Sequence, residues 1–119
     1  MVKVESDIGR PDNRIKVYTT KHVAFGVVTI LDVVGKLPGF RDVSATVLRP
    51  EGGIGHDPWG IECDGSEEHL ESIKDYLKRA IPRLQKIDES KFEESVTFMA
   101  LRARRAFHKL QEKREKRKK

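Results

Sequence analysis

One stretch, Lys21 to Lys36, limits the folds open to this 119-residue chain more than any other. Its polar positions, His22, Gly26, Thr29, Asp32 and Lys36, are spaced 4, 3, 3 and 4 residues apart. That is the period of an α-helix, and it overrides the strand preference of the many Val and Ile residues between them. The rest of the circumference is apolar, from Val23, Ala24 and Phe25 through to Val33 and Val34. A helix of this kind must be covered on more than one side, so the segment is expected to lie largely buried against a sheet. Thr29 and Asp32 interrupt it, and it is too short for a membrane span. Gly35 stops the helix and Leu37-Pro38-Gly39 forms a turn.

Strands are marked by alternation. Residues 14–20 place Ile15, Val17 and Thr19 on one face and Arg14, Lys16 and Tyr18 on the other. Residues 41–49 turn Val43, Ala45 and Val47 inward, with Ser44, Thr46 and Leu48 opposite. After a Gly-rich loop at 50–58, Trp59, Ile61 and Cys63 alternate with Gly60, Glu62 and Asp64 as a further short strand. The last two strands are expected to pair antiparallel across that loop. Residues 1–13 read as an arm that either adds an edge strand through Val2 and Val4 or stays loose.

A second helix opens at Asp64-Gly65-Ser66-Glu67-Glu68, with Asp64 or Ser66 as N-cap and acids in the first turn. Its apolar stripe is Leu70, Ile73, Leu77, Ala80 or Ile81, Leu84 and Ile87, and Pro82 is expected to kink or restart it. Asp88-Glu89-Ser90 breaks the pattern, and Ser90 with Glu93 fits a capping box for the last helix, from about Lys91. There Phe92, Val96, Met99, Ala103, Ala106 and Leu110 follow a 4, 3, 4, 3, 4 seam flanked by Phe98, Leu101 and Phe107. A monomer of this size is expected to leave Phe98 and Phe107 uncovered. That predicts a homo-oligomer, a dimer or tetramer, through the 91–110 helix. The layout is β-α-β-β-α-α: a single α+β domain with a sheet of about three to four strands. It divides into an arm (1–13), an α/β body (14–90) and a C-terminal helix with a basic tail (91–119).

Charge is unevenly placed. Residues 102–119 carry ten Lys and Arg against two Glu, a local charge of +8. Residues 1–101 carry fourteen Lys and Arg against seventeen Asp and Glu, or −3. A basic tail on a mildly acidic body attracts polyanions, chiefly nucleic acid; its cations also complement a helix C-terminus. One Asn and two Gln beside 43 charged residues is a composition associated with hyperthermophile proteins. With a single Cys and no apolar leader segment, the expected compartment is the cytosol.

Signals for catalysis are weak. His22, His56, His69 and His108 stand apart from one another and from Cys63, so no metal spacing is formed and no cofactor is expected. Cys63 falls on a core-facing strand position, where a thiol is inert. The Gly52-Gly53-Ile54-Gly55 loop leads into a strand rather than a helix and lacks the phosphate-cradling pattern. His56-Asp57 is the remaining catalytic possibility, and Glu67, Glu68 and Glu71 read as helix-start acids. The chain is expected to be non-enzymatic.

The binding reading is more specific. Arg14 and Lys16 interleaved with Tyr18 on one strand face would meet phosphates and a base together, as single-strand binders do. Phe40 and Trp59 are second-choice platforms, since either ring also suits the core. Arg41 and Arg49, at the two ends of one strand, would extend the basic track. Arg102, Arg104 and Arg105 would contribute from the last helix. The partner expected is single-stranded DNA, with RNA possible and no membrane. The alternatives are an RNA-binding or ribosome-associated protein and a helix-mediated interaction module.

The run Ile15-Lys16-Val17-Tyr18-Thr19-Thr20-Lys21-His22, the apolar helix after it and the strand Val43 to Arg49 resemble the opening β-α-β of archaeal Alba chromatin proteins. The likeness ends at Pro50, where Alba has a helix. In size, composition, small α/β body and the Phe92 to Leu110 helix, the chain resembles ThermoDBP and ThermoDBP-related proteins. That resemblance implies single-stranded DNA binding and assembly through helices, and it carries over no individual binding position.

Overall fold

A computed structural model describes residues 3–9, 13–50 and 58–117. Val2, the Gly52–Gly55 run, His56-Asp57 and the last two lysines lie outside the described residues. The elements are β1 (Lys3–Ser6), β2 (Arg14–Thr19), α1 (Lys21–Gly35), a 3-10 turn (Pro38–Phe40), β3 (Ser44–Leu48), β4 (Trp59–Asp64), α2 (Glu67–Lys86), a second 3-10 turn (Glu89–Lys91) and α3 (Phe92–Arg117). The class is α+β, with the strands in one antiparallel sheet ordered β1-β2-β4-β3. The arm does add an edge strand, pairing Lys3 with Tyr18 and Ser6 with Ile15. β3 and β4 pair antiparallel across the 50–58 connection, as expected.

One face of the sheet carries Ile15, Val17, Trp59, Ile61 and Cys63, all buried, with Ala45 and Val47 beside them. α1 covers this face and contacts β2, β3 and β4, while α3 packs on α1 and α2 lies beside it. The near-complete apolar surface of α1 is thereby divided between the sheet and two helices. Gly26 marks the closest approach: a Cβ there would fall 3.0 Å from the Phe92 ring and 3.1 Å from Leu84.

Four expectations change. α2 runs through Pro82 without restarting; the ring is exposed and buried Ile81 and Leu84 hold the helix on either side. Asp88, not Ser90, caps the turn into α3, its side chain accepting from the Ser90 N–H. The buried stripe of α3 is Val96, Ala100, Ala103 and Phe107, so Ala106 is exposed. Phe107 is therefore covered within one copy of the chain, edge-on to Phe40 at 5.4 Å and to Tyr76 at 5.6 Å, whereas Phe98 stays 60% exposed.

The start of α2 is anchored from outside the helix. Ser66 is the N-cap and accepts from the His69 N–H at 3.3 Å. The Asp42 carboxylate in turn accepts from the Ser66 N–H at 2.8 Å, and its two oxygens lie 2.9 and 3.0 Å from His69 Nδ1. Burial pushes the Asp42 carboxyl up, but the Ser66 N–H and the His69 ring outweigh it, leaving it below the ordinary value of 3.8. A carboxyl lowered by folding stabilises above its unfolded value and loses that contribution as pH falls through its folded value. Asp42→Asn is expected to lower unfolding stability by about 1–2 kcal/mol at neutral pH. The gap to the parent should close below pH 3.8 in denaturant titrations at stepped pH.

Candidate nucleic-acid interface

Alternation along β2 and β4, the two central strands, decides which side chains meet on each face at this end of the sheet. Tyr18 faces Gly60, which in turn faces Leu48, on the side away from the helices. A Cβ on Gly60 would lie 3.4 Å from the Tyr18 ring and 3.2 Å from the Leu48 Cβ. Tyr18 and Leu48 therefore close over the glycine and leave the phenol ring half-buried on the open face. One residue earlier on β4, Trp59 points to the other side, opposite Thr19.

Trp59 is only 6% exposed and is corrected here from a stacking platform to a core support. The ring it supports is Phe25, tilted at 51° with centroids 5.6 Å apart. Lys21 Nζ lies 5.6 Å from the Trp59 ring centre, within cation–π range. Phe25 is 44% exposed. It opens onto a groove of about 660 Å³ between α1 and the start of α3, with Phe92 and Val96 in its lining and Lys21, His22, Glu89 and Glu93 around it. That volume suits a base-sized to drug-sized ligand. His22 stands edge-on to Phe92 at 5.2 Å.

The other expected site residues separate into groups. Arg14 is already engaged, with Nη1 2.7 Å from Glu62 and Nε 3.6 Å from Asp64. Lys16 lies in register with Glu5 on one side and Glu62 on the other, and Lys3 pairs with Glu5 at 3.1 Å. The open face of the sheet is thus close to charge-balanced rather than a cationic track. Phe40 is fully buried between His69, at 4.3 Å, and Phe107, so it has no face for a base and is withdrawn as a platform. Its truncation would cost about 3–5 kcal/mol of stability and would report unfolding rather than binding.

Arg41 and Arg49 are both exposed at opposite ends of β3, and only Arg49 is at the Tyr18 and Leu48 end. Arg104 and Arg105 line a hollow with Leu37, Pro38, Leu101 and His108, at the opposite end of α1 from Phe25. Arg102 faces the groove between α2 and α3. Tyr18 and Lys16 share the open face of the sheet, whereas Phe25 and Lys21, which the sequence reading did not select, stand with Trp59 on the helix side. The signal for Phe25 was present: on a helical wheel it lies inside the sector of Lys21, His22, Thr29 and Asp32.

Cys63 is buried and its thiol is pushed up to about 12, chiefly by burial and then by the nearby Asp64 and Asp42 carboxylates. It is poorly disposed to act as a nucleophile. Among the described residues no group of three His, Cys, Asp or Glu side chains is placed to hold a metal ion. No helix of the described residues is long and apolar enough to cross a membrane. No protein-family model, curated protein or solved structure matches this chain.

Proposed function

We propose that the protein is a non-enzymatic binder of single-stranded nucleic acid, DNA in the first instance, without strong sequence preference. The observation that carries this reading is Phe25, an exposed ring backed by a buried tryptophan and flanked by Lys21. A ring held rigid by packing loses little freedom when a base stacks on it, and stacking on aromatic rings is sequence-tolerant. Tyr18 offers a second ring on the open face of the sheet, and Lys21 and Arg49 supply charge for the backbone. Kinship with the ThermoDBP-like proteins is part of the same proposal.

Binding is read by fluorescence titration with a dT oligonucleotide, its duplex and a matched RNA, at low and high salt. Tight single-strand binding that survives salt is expected, since stacking is less salt-sensitive than phosphate contact. Phe25→Ala should weaken it by about 1–3 kcal/mol, and Tyr18→Ala by a similar or smaller amount. Binding to all three that vanishes with salt, unaltered by Phe25→Ala, would reduce the interaction to that of a polycationic tail. Preference for a folded RNA would favour the RNA-binding alternative.

A second reading concerns assembly. Phe98 and Leu101, one turn apart on α3, are 60% and 49% exposed. Their exposure supports a homo-oligomer through α3, by a narrower contact than a full heptad seam because Phe107 is already buried. Light scattering should give a dimer or tetramer for the parent chain and a monomer for Phe98→Glu with Leu101→Glu. A monomeric parent would exclude this reading.

A further inference from the structure

The groove between α2 and α3 combines features that the single-strand reading does not use. Tyr76, Arg79 and Arg83 share one face of α2, and Arg102 faces them from α3, across a floor of Ala80, Met99 and Ala106. The enclosed space is about 170 Å³, below the range of drug-sized pockets and suited to a single small group. Arg79 and Arg83 are four residues apart on one helix, an arrangement of like charges that costs a few tenths of a kcal/mol. Neither they nor Arg102 forms an ion pair among the described residues.

The acids of α2 line a neighbouring hollow. Glu67, Glu68, Glu71 and Asp75 gather near Arg114, whose Nε lies 3.0 Å from Glu68 and whose Nη2 donates to Ser72 Oγ at 2.7 Å. Tyr76 is half-buried. Burial raises its phenol above the ordinary value, and the Arg83 and Arg79 charges offset part of that rise. Tyr76, Arg79, Arg83 and Arg102 therefore line one small concavity that has no carboxylate residue in its lining.

We propose that this groove is a binding site for a phosphate monoester, with Arg79, Arg83 and Arg102 as charged donors and Tyr76 as a hydroxyl donor. Three cations without an ion pair among the described residues match a group carrying close to two negative charges at neutral pH better than they match a phosphodiester with one. The planar fork of Arg suits the tetrahedral oxyanion in bidentate contact. The same chemistry is offered by the terminal phosphate of a nucleic-acid strand and by a free mononucleotide. The site does not depend on stacking at Phe25.

The test follows the arginine Nε–H resonances by NMR during titration with inorganic phosphate. Saturable shifts at Arg79, Arg83 and Arg102 are expected, with affinity reduced about ten-fold or more by Arg102→Gln, the scale of one lost charge-assisted hydrogen bond. Arg102 is exposed, so the variant should keep the fold, and Arg83→Gln serves as an independent check. Shifts that never saturate, or that spread over all Lys and Arg and persist in both variants, would overturn the site. The two sources separate in parallel titrations. A 5′-phosphorylated dT oligonucleotide that binds about ten-fold more tightly than its 5′-hydroxyl form assigns a strand end. Equal oligonucleotide affinities with saturable binding of a mononucleotide assign the free ligand.

Discussion

The cover over α1 is the constraint on which the rest of the structure depends. An α-helix apolar on most of its circumference is unstable in water unless more than one surface is brought against it. The sheet covers one side through Ile15, Val17, Trp59, Ile61 and Cys63, and α3 covers another through Val96, Ala100 and Ala103. Close packing at Gly26, where Leu84 of α2 and Phe92 both approach within about 3 Å of a would-be Cβ, ties the three helices at one point. Burial of each large aliphatic side chain here is worth about 1.5–3 kcal/mol. Loss of any one covering element would expose several at once.

The candidate interface follows from where that cover stops. α1 begins beside the strand ends at Thr19 and Trp59, and its first two turns form the groove with the start of α3. Phe25 is therefore held from behind by Trp59 and presented in front, with Lys21 one turn earlier on the same side. At the far end of α1 the Phe40, His69 and Phe107 cluster closes the core, and Asp42 fixes the start of α2 against it. One end of the molecule is thus locked by packing and hydrogen bonds, and the other carries an exposed ring, cations and a groove. The α2–α3 groove is a third and separate surface: Arg114 pairs with Glu68 on the acidic half of α2, and Arg79 and Arg83 form no ion pair among the described residues.

Much of the fold was legible because periodicity is a local property. The 4, 3, 3, 4 spacing of polar residues identified α1 despite its Val and Ile content, and alternation identified which face of β2 and β4 is buried. Strand order was not legible: β4 inserts between β2 and β3, a non-local pairing that no window of sequence records. The α3 stripe shows a different limit. Val96, Ala103 and either Met99 with Ala106 or Ala100 with Phe107 all satisfy helical spacing, and only the position of Phe40 and Tyr76 selects the second set. Phe40, after Pro38-Gly39, suited either a platform or the core, and the 3-10 turn directs it inward. On β2 the basic face was read correctly in orientation; the carboxylates of β1 and β4 that balance it arrive from distant positions in the chain.

Ultraviolet cross-linking of the intact protein to a dT oligonucleotide, with the attached residues identified by mass spectrometry, tests the central claim most directly. Zero-length cross-links form only where a base lies against a side chain. The account predicts attachment at Phe25, the ring that Trp59 supports, and at Tyr18 on the open face of the sheet. Attachment confined to the basic end of α3, with neither ring modified, would contradict it.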